Sequence, residues 1–207
     1  MCNNKIKATT LSGVISFTYD EYMELMNRFV NLKITSGTNP NKDLIEMTKL
    51  NLSRMNRLNK TLIVPNKLVT LIQEISEPQY WIVICEAWCG DCAQNLPALA
   101  KLCETTNALV DLKIIFRDTN PELMDNYLTG GGKAIPKLIV KDSKGNDLFV
   151  WGPRPKSAAD IMKNWKANQE SISKEDAVRE MHSWYANNKC MELFSELEPL
   201  ISKTIDK

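Results

Sequence analysis

The sequence holds a single histidine, His182, among its 207 residues. With no second imidazole, metal sites built on histidine pairs and histidine-based protease sites are set aside. His182 follows Met181 and precedes Trp184 in a helical segment, so the expectation for it is an ordinary surface position. Net charge is equally scarce: 26 Lys and Arg against 25 Asp and Glu leave +1, which gives no overall field to draw in nucleic acid or an anionic membrane. No apolar run approaches the roughly 20 residues that a membrane-spanning helix needs. The start, MCNNKIKATTLSGVISFTYDEY, offers a short patch broken by Thr and Ser ahead of acidic residues, a poor signal peptide. Cys2 has no lipobox before it. The expectation is a cytoplasmic protein in a reducing compartment, where structural disulfides are rare. Internal repeats and low-complexity tracts are also absent from the sequence.

What is present fits one sizeable core with additions to it, since single domains most often run to roughly 100–200 residues. The first third reads as helical. Thr18 and Glu21 stand at the S/T-x-x-E spacing of a capping box, ahead of Tyr22, Met26, Phe29, Val30 and Leu32. Asn39-Pro40 offers a second start, leading into Leu44, Met47, Leu50, Leu52, Met55 and Leu58. Leu68, Leu71, Ile72 and Ile75 make a third helical stripe. The basic residues Lys49, Arg54, Arg57 and Lys60 have no interleaved aromatics and are balanced by acids elsewhere, so they are expected on a solvated helix face rather than an RNA-binding patch.

From residue 79 the texture changes. Tyr80 to Cys85 is a continuous apolar run, which fits a strand covered on both faces. A helix over about 90–105 and a second strand over Leu109 to Phe116 complete a βαβ unit. A short helix from Pro121 to about Leu128 reaches Gly130-Gly131-Gly132, either a flexible connector or a place where a substrate backbone comes close. Lys137 to Lys141 and Leu148 to Trp151 flank the turn DSKGN as a β-hairpin. Helices follow over about 157–169 and 174–205, with a break near Pro199. WGPRP, residues 151–155, reads either as a rigid strand-to-helix connector or as part of a substrate groove.

The chemistry concentrates in EAWCGDCAQNLPAL, residues 86–99, where two cysteines three positions apart join the strand to the helix. With the helix starting at Cys89 or Gly90, the first thiol stands at an N-terminus whose free N–H groups favour thiolate. Cys89 is therefore the expected exposed nucleophile. Cys92, Leu96, Leu99 and Cys103 recur at i, i+4, i+7, i+11, which places Cys92 on the core-facing stripe, shielded and one turn from Cys89. Such a pair suits disulfide exchange: Cys89 attacks a disulfide, then Cys92 attacks the mixed disulfide. Cys85 lies within the strand and Cys103 about 16 Å along the helix from Cys92 at 1.5 Å per residue, so a zinc site on all four is disfavoured. Cys85, Cys103 and Cys190 are expected as small buried hydrophobes.

WCGDC after a buried strand, with Pro97 on the helix and Ile135-Pro136 opening a later strand, resembles the thioredoxin family over about residues 61–170. The site is similar to the usual WCGPC, with Asp91 in place of Pro. The resemblance implies an α/β thioredoxin fold, a central mixed β-sheet flanked by helices, with helical extensions over 1–60 and 171–207. It implies a cis Ile135-Pro136 bond beside the dithiol, with the Ile135 backbone free to pair with an extended substrate, and Trp88 and Gly90 in supporting places. It also implies a thiol–disulfide oxidoreductase that reduces protein disulfides through a redox-active Cys89–Cys92 disulfide and no other cofactor. Its partners would be disulfide-containing proteins and a reductase or low-molecular-weight thiol as electron donor, with neither nucleic acid nor membrane.

Two departures bear on mechanism. Where the family usually carries a buried Asp, six residues before the first cysteine, this chain has Val83, and Glu86 is either a substitute proton acceptor or an exposed loop carboxylate. Asp91 stabilises the helix's first turn, while its charge opposes thiolate formation at Cys89. Two other readings remain: a protein-binding or redox-sensing module without turnover, and a metal carrier gripping an ion or cluster through Cys89 and Cys92 of two chains.

Overall fold

The computed structural model describes residues 9–11, 13–106 and 108–205; Cys2 lies outside the described residues. A hairpin of β1 (Thr9–Leu11) and β2 (Val14–Ser16) comes first, an element the sequence pattern does not announce. Phe17 then exchanges backbone hydrogen bonds with Ile114 at 2.9 and 2.8 Å, which ties the amino-terminal segment to the sheet. α1 (Tyr19–Leu32) opens with the expected capping box of Thr18 and Glu21. α2 (Lys42–Thr61) starts two residues later than Asn39-Pro40 suggests, because Asn41 supplies the cap: its side-chain oxygen accepts from the Leu44 amide at 3.0 Å. The face that α2 buries carries Thr48, Asn51, Leu52, Met55 and Leu58, whereas Leu50 is 46% exposed. Two polar side chains thus sit in the buried arc of this helix.

α3 (Asn66–Gln73) buries Leu68 and Ile72. The βαβ unit follows as β3 (Gln79–Cys85), α4 (Gly90–Glu104) and β4 (Val110–Phe116), with β3 and β4 parallel in register from Gln79↔Val110 to Cys85↔Phe116. After the short α5 (Pro121–Asp125), the antiparallel pair β5 (Lys137–Lys141) and β6 (Asp147–Trp151) completes a mixed sheet in the order β4-β3-β5-β6. Helices flank this sheet, the architecture expected of a thioredoxin fold. Every β3 residue except Tyr80 is buried, consistent with cover on both faces.

Three helices close the chain: α6 (Lys156–Ala167), α7 (Lys174–Asn188) and α8 (Met191–Ile205). The break falls at Lys189 and Cys190, both left-handed with φ of 51° and 64°, and not at Pro199, which lies within α8. Pro199 is exposed there, so the hydrogen bond it forgoes is one that water can replace. One hydrophobic core runs from Tyr22, Met26 and Met55 through β3 to Phe194 and Ile201, so both extensions share it with the sheet. A smaller cluster of Ala158, Met181 and Tyr185 joins α6 to α7. Among the described residues no helix is long and apolar enough to cross a membrane.

Candidate active site

The end of β3 and the start of α4 bring the cysteines together. Cys89 is the N-cap of α4, with φ −76° and ψ 118°, and its side chain caps no backbone amide. Cys92 lies one turn on, facing the core at 1% exposure. Both are free thiols, as are Cys85 and Cys190, which are buried, and Cys103, which is partly so. The Cys89 Sγ donates to the Ile135 carbonyl at 3.5 Å, and the Ile135–Pro136 bond is cis. A second cis bond, Gly152–Pro153, packs beside it: a Cβ on Gly152 would lie 2.3 Å from the Pro136 carbonyl oxygen, so only glycine fits.

Two expectations for Cys89 are corrected here. It is only 8% exposed, not an open nucleophile. Its thiol is pushed well above the ordinary cysteine range, first by the hydrogen bond with the Cys92 thiol, then by burial, with the Asp91 charge adding to both; the Cys92 backbone at the helix start pulls the other way and loses. The cover comes from the extensions. A Cβ on Gly90 would lie 3.0 Å from His182 Cε1 of α7 and 3.4 Å from Arg54 Nη1 of α2, so these two side chains lie directly over the first turn of α4. The Cys92 thiol is raised as well, by burial and by the hydrogen bond with Cys85.

His182 is therefore not the surface histidine that its isolation suggests. It is half-buried, its Nδ1 is enclosed without a hydrogen-bond partner, and burial together with the Arg54 charge lowers its pKa to about 4. Arg54 likewise leaves the solvated face expected of it. It is half-buried and donates to Asn51 Oδ1 at 3.0 Å, while Asn51 Nδ2 donates to the Ala87 carbonyl at 2.9 Å.

The two acids at the junction are both buried. Glu86 is no exposed loop carboxylate: it accepts a short hydrogen bond from the Ser36 hydroxyl and one from the Asp118 amide at 2.8 Å, while Ser36 Oγ accepts from the Ala87 amide at 2.8 Å. Burial raises the Glu86 carboxyl above its ordinary value against the pull of those donors. With one oxygen on Ser36 and the other on Asp118, Glu86 ties the loop ahead of α2 to the end of β4. Asp91 accepts from Arg154 Nε at 3.1 Å, from Arg154 Nη2 in a shorter contact, and from the Tyr185 hydroxyl at 2.8 Å. Asn95 Nδ2 reaches the Asp91 carbonyl at 2.8 Å and the Tyr185 oxygen at 3.2 Å. WGPRP therefore works at the site, as the source of Gly152 and Arg154.

Trp88 is half-buried, with the Arg117 guanidinium 5.1 Å from its ring centroid. Gly37, at φ +98°, runs close against it: a Cβ there would lie 3.3 Å from Trp88 Nε1 and 2.7 Å from Asp118 Oδ2. Pro136 and Ile135 are buried, and the Ile135 carbonyl accepts the Cys89 thiol. The three glycines at 130–132 are exposed and sit in a turn closed by Thr129 and Gly132. Among the described residues no three His, Cys, Asp or Glu side chains are grouped to hold a metal ion.

A family model described as Thioredoxin matches residues 37–166, more than half of the chain. The chain belongs to the thioredoxin family. The matched stretch includes α2, so Arg54 lies inside the family unit, while His182 and Tyr185 lie beyond it. Val83, at the place where the family usually has an acid, is fully buried. Among solved structures, a protein of unknown function from Pseudomonas aeruginosa superposes with a TM-score of 0.56 at 19% identity, covering 89% of this chain and 96% of its own. An HIV epitope scaffold gives a TM-score of 0.49 at 19% identity, covering 91% and 96%. No curated protein matches the sequence.

Proposed function

We propose that the protein is a thiol–disulfide oxidoreductase, with Cys89 as nucleophile and Cys92 as resolving thiol. The observation that carries this reading is the placement of Cys89 at the N-cap of α4, with Cys92 one turn behind and the Ile135 carbonyl on its sulfur. In the forward step the Cys89 thiolate attacks one sulfur of a substrate disulfide, forming a mixed disulfide and expelling the other sulfur as thiolate. The Cys92 thiolate then attacks Cys89 Sγ, closing the Cys89–Cys92 disulfide and releasing the second thiolate. Two electrons pass to the substrate, and the two protons of the dithiol end on the two product thiols. A reductase or a low-molecular-weight thiol returns the protein to the dithiol.

The raised thiol pKa values favour a reducing couple, because little thiolate stabilisation holds the reduced form. The same shift makes attack slow at neutral pH. Reductant-coupled turnover of a small test disulfide, abolished in Cys89→Ser, checks the assignment. Cys92→Ser should retain the first step and accumulate mixed disulfide; turnover that survives Cys89→Ser rejects the reading.

A second reading has its own observation. The burial of Cys89 beneath Arg54 and His182 suits a redox-sensing module, in which slow oxidation of the dithiol is the signal. Stoichiometric oxidation without catalytic turnover would select it.

A further inference from the structure

Cys85, the last residue of β3, is fully buried, yet its neighbours are not only apolar. Its thiol is hydrogen-bonded to Cys92 and also to the hydroxyl of Tyr22, a buried residue of α1. Cys92 is in turn hydrogen-bonded to Cys89, and it accepts from the backbone amide of Glu86, the residue next to Cys85. Cys89 donates to the Ile135 carbonyl at 3.5 Å. Three free thiols therefore stand in a row from α1 to the Ile135–Pro136 turn, with Cys92 in the middle.

Thiol–disulfide exchange runs through three sulfurs, one attacking, one central and one leaving. Once the reaction proposed above has closed the Cys89–Cys92 bond, Cys85 is the thiol left against the central sulfur, and Cys89 is the leaving group. The two ends of the row are unequal. A thiol set free at Cys89 recovers the Ile135 carbonyl as acceptor and lies nearer the surface, at 8% exposure against 0% for Cys85. Burying a polar S–H is costly, so the one thiol left over is accommodated better at Cys89 than at Cys85.

We propose that Cys85 is a third redox thiol, which draws the disulfide inward to a Cys85–Cys92 bond and sets Cys89 free again. The inference rests on the oxidoreductase reading above and adds a nucleophile to it. The Cys85 thiolate attacks Cys92 Sγ: the Cys85–Cys92 bond forms, the Cys89–Cys92 bond breaks, and Cys89 leaves as thiolate and takes up the proton that Cys85 gave up. No electron enters or leaves the protein in this step. The step gives the reaction a direction. A product thiol reverses the exchange by attacking Cys89 Sγ of the outer disulfide, whereas both sulfurs of the inner one are shielded, at 0% and 1% exposure.

The test oxidises the full chain with equimolar diamide, lets it equilibrate, and traps the free thiols with N-ethylmaleimide in mildly acidic denaturant, where exchange is slow. Cleavage after Glu86 and after Asp91 puts Cys85, Cys89 and Cys92 on three separate fragments, so mass spectrometry reads which two are joined. The expected main product joins Cys85 to Cys92 and carries the maleimide on Cys89. Cys89–Cys92 as the main disulfide, with maleimide on Cys85, overturns the proposal and leaves the oxidoreductase reading standing. No disulfide among the three overturns both. A variant gives a second readout. If the inner disulfide exceeds the outer about tenfold, its loss in Cys85→Ala should raise the reduction potential against glutathione by about 30 mV. An unchanged potential in folded Cys85→Ala protein also overturns the proposal.

Discussion

Glu86 and Asp91 are buried acids on either side of the same tryptophan–cysteine turn, and each is held by a different end of the chain. Glu86 is gripped by neutral donors, the Ser36 hydroxyl ahead of α2 and the Asp118 amide after β4. Asp91 is gripped by a cation, Arg154, and by Tyr185 of α7. On the Glu86 side the carboxyl is raised and the amino-terminal loop is fastened to the backbone of Ala87. On the Asp91 side an ion pair and a phenol fasten the carboxy-terminal helices to the first turn of α4. The difference explains how a dithiol at a helix start comes to be covered: the segments before and after the sheet each reach it through their own buried acid, and Arg54 and His182 meet over Gly90.

Removing one anchor at a time separates the two sides. The largest loss is expected in Glu86→Ala, which leaves the buried Ser36 hydroxyl and Asp118 amide without their acceptor. At about 1–3 kcal/mol for each orphaned group, partly relieved by relaxation, the variant should lose about 3–4 kcal/mol. Urea denaturation measures this. A loss under about 1 kcal/mol would mean the Ser36 loop is not anchored through Glu86.

Asp91→Asn should cost less, about 2 kcal/mol, because Arg154 keeps contact with water when its partner is lost. The same change removes the acid that opposes Cys89 ionisation and leaves the Arg154 charge in place. Iodoacetamide alkylation of Cys89 followed against pH should therefore shift to lower pH in Asp91→Asn, and should not shift in Glu86→Ala. An unmoved profile in Asp91→Asn would remove this acid from the electrostatics of the thiol.

The sequence carries one side of this comparison better than the other. The β3–α4 junction is legible because its signals are local: a continuous apolar run, a CxxC pair, and a stripe that puts Cys92 inward. The Thr18–Glu21 cap is legible for the same reason. Arg54, His182, Tyr185 and Arg154 are not, because each acts through contacts made only when distant segments meet; Tyr185 and Asp91 are 94 positions apart. One signal on α2 was available. Thr48 and Asn51 fall in the same helical arc as Leu52, Met55 and Leu58, while Leu50 falls outside it. Polar residues inside an apolar arc mark a buried polar contact, here Asn51 on Ala87, and they turn Arg54 toward the site rather than toward water.

The smallest effect concerns acid, and the two sides should respond to it with opposite sign. His182, flanked by Arg54 of α2 and Asp91 of α4, has its pKa lowered to about 4 from an unfolded value of 6.5. Between those values the unfolded chain binds a proton that the folded chain refuses, so stability present above pH 6.5 is lost as pH falls toward about 4. At about 1.4 kcal/mol per pKa unit, discounted for the partial solvent contact of His182, the loss is about 1–2 kcal/mol. Glu86 acts the other way. Its folded pKa is raised, so the folded chain takes up its proton first, and stability is gained as pH falls through that value toward the unfolded one. Urea midpoints at about pH 7.5 and pH 4.5 separate the two groups. His182→Gln should be less destabilised by acid than the unmodified protein, and Glu86→Gln, which is neutral at both pH values, should be more so. The same acid response in His182→Gln as in the unmodified protein would show that the imidazole over Gly90 is not held neutral by the fold.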